Sequence, residues 1–303
     1  MALWYDVGAG MARCQMASRT TDQRTAFFVA AGPSLDFVDP AHLNGPGRTV
    51  TVMNNAYPKV RPDIWCGMDD PTCYPRELYD EPFIKIMRGG YQNREIETGP
   101  ITRKFNLFYA DCTKPNHRSD IFKLRQHDVK FVWHRSTFMI TMHILVWMGY
   151  SKIYMFGCDL NTSKQAYTSG TVIKGLTDDR IARSQRLYDE TNDWLRWFAS
   201  ESPKHGIEVI SCSPESRINE YLPYRDYRNV IGEIESRLPY GYPKIHPTDA
   251  EEPYREKDKQ KAESEKKKAD ARKHAEAAVE VIGHKGATIV ESKNGKSPLV
   301  SNG

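Results

Sequence analysis

Gly32-Pro33-Ser34, in the stretch AFFVAAGPSLDFVDP (Ala26 to Pro40), is the first place where this chain could do chemistry. A small-residue turn between an apolar run and the start of a helix presents backbone N–H groups, and Ser34 adds a hydroxyl. An anionic group, above all a nucleotide phosphate, fits such a turn. The first strand-to-helix turn of any α/β domain has the same composition, so the turn by itself leaves both readings open. Asp69-Asp70, in GMDDP, is the second place. Adjacent carboxylates at a strand end are hard oxygen ligands that can hold Mg or Mn across a diphosphate, and a plain Asp-Asp-Pro turn uses the same residues. His134 closes VKFVWH, where an imidazole can move a proton or simply bond to backbone. Asp159 follows another strand in GCDLN, while His143, among apolar residues, reads as core.

The six cysteines (Cys14, Cys66, Cys73, Cys112, Cys158 and Cys212) stand singly, without a CxxC pair or clustered histidines. Neither a disulfide framework nor a structural zinc site is expected.

The elements that must position these residues follow from the apolar pattern. A short unbroken apolar run bounded by Gly and Pro reads as a buried parallel strand. RTVTVMNNAYPKV supplies a second strand ending at Asn54-Asn55, and RPDIWCGMDDPTCYP a third. Polar residues gathered at the C-terminal ends of successive strands are how an open α/β sheet builds its ligand crevice. From 80 to 128 only FIKIMRGG reads as a strand; the rest is a long polar and aromatic excursion, expected to form a lid or acceptor face. A strand from Val129 to His134 then leads to Ser136 or Thr137 as a cap and a wholly buried helix from Phe138 to Met148. Gly149 ends that helix, and the next strand runs from Lys152 to Gly157. This reads as a right-handed βαβ unit with parallel strands. A helix from about Asp178 to Ser200 follows, with Ile181, Leu187, Trp194, Leu195 and Phe198 inward, and GIEVISCSP is the last strand.

The expected architecture is α/β, with a mostly parallel sheet and helices on both faces. Its expected boundaries are a leader over 1–24, a nucleotide-binding domain over 25–235, and a linker with a charged helical or disordered tail over 236–303. That tail mixes Lys and Glu, as in EKDKQKAESEKKKADARKHAEAAVE, and reads as solvated. With a net charge of +4 and a pI of about 8.6, the composition neither supports nor excludes a nucleic-acid partner. The sequence holds no apolar stretch of about 18 residues and no export core near its start, so no membrane span and a cytoplasmic place are expected. A homo-oligomer stays open.

In their order, FVAAGPSL, VMNN, WCGMDD, the buried helix, MGYSKIYMFGCDLN and GIEVISCSPESRINEYLPY resemble bacterial sialyltransferases that decorate lipo-oligosaccharides. They also resemble the related motility-associated (Maf) flagellin glycosyltransferases and the archaeal hydroxymethylpterin pyrophosphokinases. The resemblance covers about residues 25 to 225. It implies a single Rossmann-like (GT-A-like variant) domain and a glycosyltransferase that takes a nucleotide sugar, a CMP-sugar by preference. Gly32, Pro33 and Ser34 would hold the phosphate, and Asn54 or Asn55 would contact ribose or phosphate, since an amide both donates and accepts. Tyr167 matches one of two tyrosines that steady the departing phosphate, and Asn161 stands where the other would be. Two departures stand out: Ala31 replaces an asparagine common before the glycine, and no histidine lies between His143 and His205 to serve as the family's general base. Asp189, on the long helix, is the substitute if its pKa is raised.

No metal cofactor is required for a monophosphate leaving group; Mg or Mn at Asp69 and Asp70 enters only with a diphosphate. The hydroxyl acceptor is open between a glycan, a protein side chain and a hydroxylated base of phage DNA. Lys114, His117, Arg118, Lys123 and Arg125 offer a modest basic patch for the last. Two rivals stand beside this reading: a metal-dependent pyrophosphokinase using Asp69, Asp70 and Asp159, and a non-catalytic nucleotide-binding module.

Overall fold

A computed structural model describes residues 3–6, 11–13, 25–57, 59–92, 94–96, 99–100, 106–113, 118–122, 131–132, 136–160 and 178–238. In chain order the strands are β1 (Leu3–Asp6), β2 (Met11–Arg13), β3 (Thr25–Val29), β4 (Thr49–Met53), β5 (Ile64–Gly67), β6 (Ile84–Arg88) and β7 (Glu95–Ile96). They continue with β8 (Gly99–Pro100), β9 (Leu107–Ala110), β10 (Cys112–Thr113), β11 (Phe131–Val132), β12 (Lys152–Phe156) and β13 (Glu208–Ser211). The α-helices among the described residues are α1 (Thr137–Trp147), α2 (Asp178–Glu201) and α3 (Tyr227–Ser236).

Nine strands form one sheet in the order β13-β12-β3-β4-β5-β6-β9-β1-β2. Those from β13 to β9 pair in parallel, and β1 and β2 continue antiparallel. The fold is therefore α/β with a mostly parallel sheet, as the apolar pattern implies. The pattern follows from burial on both faces: Ala26, Phe28 and Ala30 pack with α1 and α2, whereas Phe27 and Val29 pack with α3. A strand covered on both sides has no place for polar residues, hence the unbroken run. Phe28 meets Phe138 of α1 edge-on, with ring centroids 4.9 Å apart.

Helix α1 is buried at every position from Thr137 to Val146, as its lack of a polar stripe requires. Ser136 is its N-cap residue, but its side chain makes no capping bond; the Thr191 hydroxyl lies 3.4 Å from its Oγ. On α2, Trp194, Leu195 and Phe198 are buried as expected, and Leu187 is half-buried. The side chain of Ile181 lies outside the described residues.

Three expectations need correction. The strand before α1 does not join the main sheet: Phe131–Val132 pairs in parallel with Cys112–Thr113 in a separate two-stranded sheet, so the adjacent βαβ unit is not formed. The excursion from 80 to 128 is not irregular throughout, because Leu107–Ala110 is a full strand beside β6. The leader contributes β1 and β2, which extend the sheet past β9.

Candidate functional site

The strand order places a topological switch point between β3 and β12. From β3 the chain steps outward through β4, β5, β6 and β9, then returns to lay β12 and β13 on the other side of β3. The loops leaving β3 and β12 therefore diverge, and the crevice beyond such carboxyl ends is where an open α/β sheet binds ligands. Here the two loops are laced together. Ala30 N–H donates to Phe156 O and Gly32 N–H to Gly157 O, each at 2.8 Å. The Ser34 N–H and hydroxyl then both donate to Asp159 Oδ2, at 3.0 and 2.8 Å, across 125 residues of sequence.

The lacing depends on two glycines. A Cβ on Gly32 would lie 2.2 Å from Asp159 Oδ2 and 2.4 Å from Gly157 O. Gly157 has φ +62, and a Cβ there would lie 2.2 Å from Ala30 O. Leu160, the last described residue of this loop, also has a positive φ, of 52°.

The turn after β3 is a five-residue 3-10 helix, Pro33–Phe37, and it offers no free donors of the expected kind. Gly32 N–H is spent on Gly157, Ser34 on Asp159, Leu35 N–H on Gly32 O, and Pro33 has none. In this structure the N–H of Gly32 and the N–H and hydroxyl of Ser34 therefore all have partners within the protein. Asp159 is buried; desolvation moves its pKa upward, opposed by the two bonds from Ser34.

Asn54 and Asn55 open the turn after β4, and both are half-buried. Asn54 has φ +47; its carbonyl accepts from Trp65 Nε1 and its side-chain Oδ1 from the Tyr74 hydroxyl, each at 3.0 Å. Asp69 follows β5, and its N–H donates to the Tyr74 hydroxyl at 3.1 Å. Although Asp69 as a residue is exposed, desolvation of its carboxyl raises its pKa.

Asp70 is spent on local structure. Its Oδ1 accepts from the N–H and hydroxyl of Thr72, which holds its pKa below the usual range, and its Oδ2 faces Arg94 Nε at 3.5 Å. Both Asp70 oxygens thus have protein partners, while Asp69 Oδ2 lies 3.4 Å from the Tyr74 hydroxyl. Among the described residues no group of three or more His, Cys, Asp or Glu is placed to hold a metal.

Asp189 sits on α2, half-exposed, accepting from Gln185 Nε2 at 3.1 Å and paired with Arg217. The bond from Arg217 lowers its pKa, the reverse of what a general base requires. Asp189 is a helix-surface ion pair that ties α2 to the turn after β13. His134, Asn161 and Tyr167 lie outside the described residues. Trp65 and Tyr74 carry no charge and gave no signal in the sequence beyond Gly67 between them; only the fold shows what they hold.

Among the described residues no helix is long and apolar enough to cross a membrane. No protein-family model matches the chain, and no curated protein matches it in sequence. Among solved structures it is similar to the Campylobacter jejuni sialyltransferase CstII in complex with the substrate analogue CMP-3FNeuAc. There the identity is 16%, the TM-score 0.39, and the alignment covers 66% of this chain and 85% of that one. It is also similar to the monofunctional alpha-2,3-sialyltransferase Cst-I from the same organism, at 10% identity and a TM-score of 0.39, covering 68% and 81%. At such identities and scores no substrate or residue role passes from those enzymes to this chain.

Proposed function

We propose that this protein is a glycosyltransferase that moves a sugar from a nucleotide donor, of the CMP-sugar type, to a hydroxyl acceptor. One observation carries the reading: Ser34 and Asp159, 125 residues apart in sequence, meet at the carboxyl ends of β3 and β12 at the switch point, and Asn54 stands at the carboxyl end of the neighbouring β4. Ligand crevices of open parallel sheets form at such places. In the proposed transfer the acceptor oxygen bonds to the anomeric carbon as that carbon's bond to the phosphate oxygen breaks. The acceptor proton passes to a base, and the nucleotide leaves with the electron pair. Charge grows on the phosphate, so donors aimed at it accelerate the step. Asn54 supplies one such donor, Tyr167 and Asn161 are proposed to supply others, and His134 to take the proton. Since Asp70 is engaged with Thr72 and Arg94, the proposed transfer routes no step through a metal.

A thermal-shift panel with CMP, CDP, UDP, GDP and ATP, each with magnesium or with EDTA, tests this. A ligand at a hundred times its Kd stabilises the folded state by about 2.7 kcal/mol. Stabilisation by CMP or CDP that survives EDTA and is lost in Asn54→Ala is expected. Stabilisation by ATP alone, dependent on magnesium, would move the assignment to the pyrophosphokinase reading.

A further inference from the structure

Asn54 is held by two buried aromatic residues, Trp65 and Tyr74. Trp65 and Tyr74 pack edge to face, with centroids 4.7 Å apart at 86°. Their packing requires Gly67, where a Cβ would lie 2.1 Å from Trp65 Cη2 and 2.8 Å from Tyr74 Cζ. From this block two bonds reach Asn54: Trp65 Nε1–H grips its carbonyl and fixes the left-handed backbone, and the Tyr74 hydroxyl grips its Oδ1. A phenol has one hydrogen to give. Tyr74 Oη accepts the Asp69 N–H, and of the two oxygens within reach of its hydrogen Asn54 Oδ1 at 3.0 Å is nearer than Asp69 Oδ2 at 3.4 Å, so the hydrogen goes to Asn54. Burial keeps that phenol protonated, with a pKa well above its ordinary value. With Oδ1 engaged, the amide of Asn54 is fixed in one sense, and its Nδ2–H group is the face left for a ligand; among the described residues nothing accepts from it.

We infer that Trp65 and Tyr74 are positioning residues that present the Asn54 amide as an N–H donor, so that the group it meets is a hydrogen-bond acceptor such as a nucleotide phosphate oxygen. The inference rests on the nucleotide reading of this site. It makes Asn54 a donor only: an aspartate there could still accept from Tyr74 but would offer the ligand no N–H. It also makes the Tyr74 hydroxyl matter to binding only through Asn54.

The test measures CMP affinity calorimetrically, with melting temperature, for the wild type, Tyr74→Phe, Asn54→Asp, Asn54→Ala and the double variant Tyr74→Phe/Asn54→Ala. Tyr74→Phe is expected to weaken CMP about five-fold, the size of one neutral hydrogen bond. Asn54→Asp should weaken it at least about ten-fold while melting within about 2 °C of the wild type. The double variant should bind no worse than Asn54→Ala, because contacting residues in one network are not additive. Wild-type affinity in Tyr74→Phe, undiminished affinity in Asn54→Asp, or losses that multiply in the double variant would overturn the inference. Should the wild type bind no CMP, the nucleotide reading fails separately, and the side-chain amide resonances of Asn54 decide the positioning claim. A shift and broadening of that pair in Tyr74→Phe supports it, and an unchanged pair overturns it.

Discussion

Gly32 has no room for a methyl group, and that constraint says more about the site than its membership of a turn. Gly32→Ala would drive Cβ into the Asp159 carboxylate and the Gly157 carbonyl, and the second is backbone that cannot swing away. A loss of about 1–3 kcal/mol, read by urea denaturation, is expected, together with loss of nucleotide binding. Asp159 sets a pH dependence whose sign follows from its raised pKa. The folded state holds the proton more tightly than the unfolded chain, so this carboxyl contributes stability at low pH. That contribution is lost as pH rises from the ordinary carboxyl range through the raised value. Asp159→Asn should therefore gain on the wild type in melting temperature across that window, and a difference that stays flat with pH would remove Asp159 as its source. Asp189 titrates the other way, held low by Arg217, and Asp189→Asn should leave the pH profile of turnover unchanged. At this scale the sequence marks Ser34, Asn54, Asp69 and Asp159 as polar residues at strand ends. It cannot show that Ser34 is spent on Asp159, because that bond spans 125 residues, nor that Tyr74 orients Asn54.

The elements legible in the sequence are those whose burial forces a pattern. β3 to β6, α1, β12, α2 and β13 each sit against the core on a face, or on both, and their apolar runs show it. The elements that escape are short or lie toward the far end of the sheet. β9 has four residues inside a polar excursion, and β1 and β2 extend the sheet by antiparallel pairing, which demands no continuous apolar run. Strand order is likewise illegible, since the return from β9 to β12 passes back across β6, β5, β4 and β3. Truncating Phe28 tests the interior directly: it is fully buried in β3 and packs on Phe138, so Phe28→Ala is expected to cost about 3–5 kcal/mol by denaturant unfolding. Removing residues 1–13 should instead bare the edge of β9 and show as self-association in size-exclusion chromatography, because an unpaired strand edge is a template for another chain.

For the whole molecule, the decisive property is that the carboxyl ends of β12, β3, β4 and β5, neighbours in a mostly parallel sheet, carry the chain's polar motifs, with the switch point between β12 and β3. Composition does not reveal this, since a net charge of +4 fits many functions, and the motifs are individually common turns. Their placement at neighbouring strand ends is the observation on which the proposed nucleotide-sugar reading rests. The most direct test is release of CMP from a CMP-sugar, measured with EDTA present and with hydroxyl acceptors supplied, for the wild type beside Asn54→Asp. CMP release by the wild type, lowered at least about ten-fold in Asn54→Asp, is the predicted result. A wild-type protein that binds CMP and releases none from any CMP-sugar would contradict the glycosyltransferase assignment and leave a nucleotide-binding module in its place.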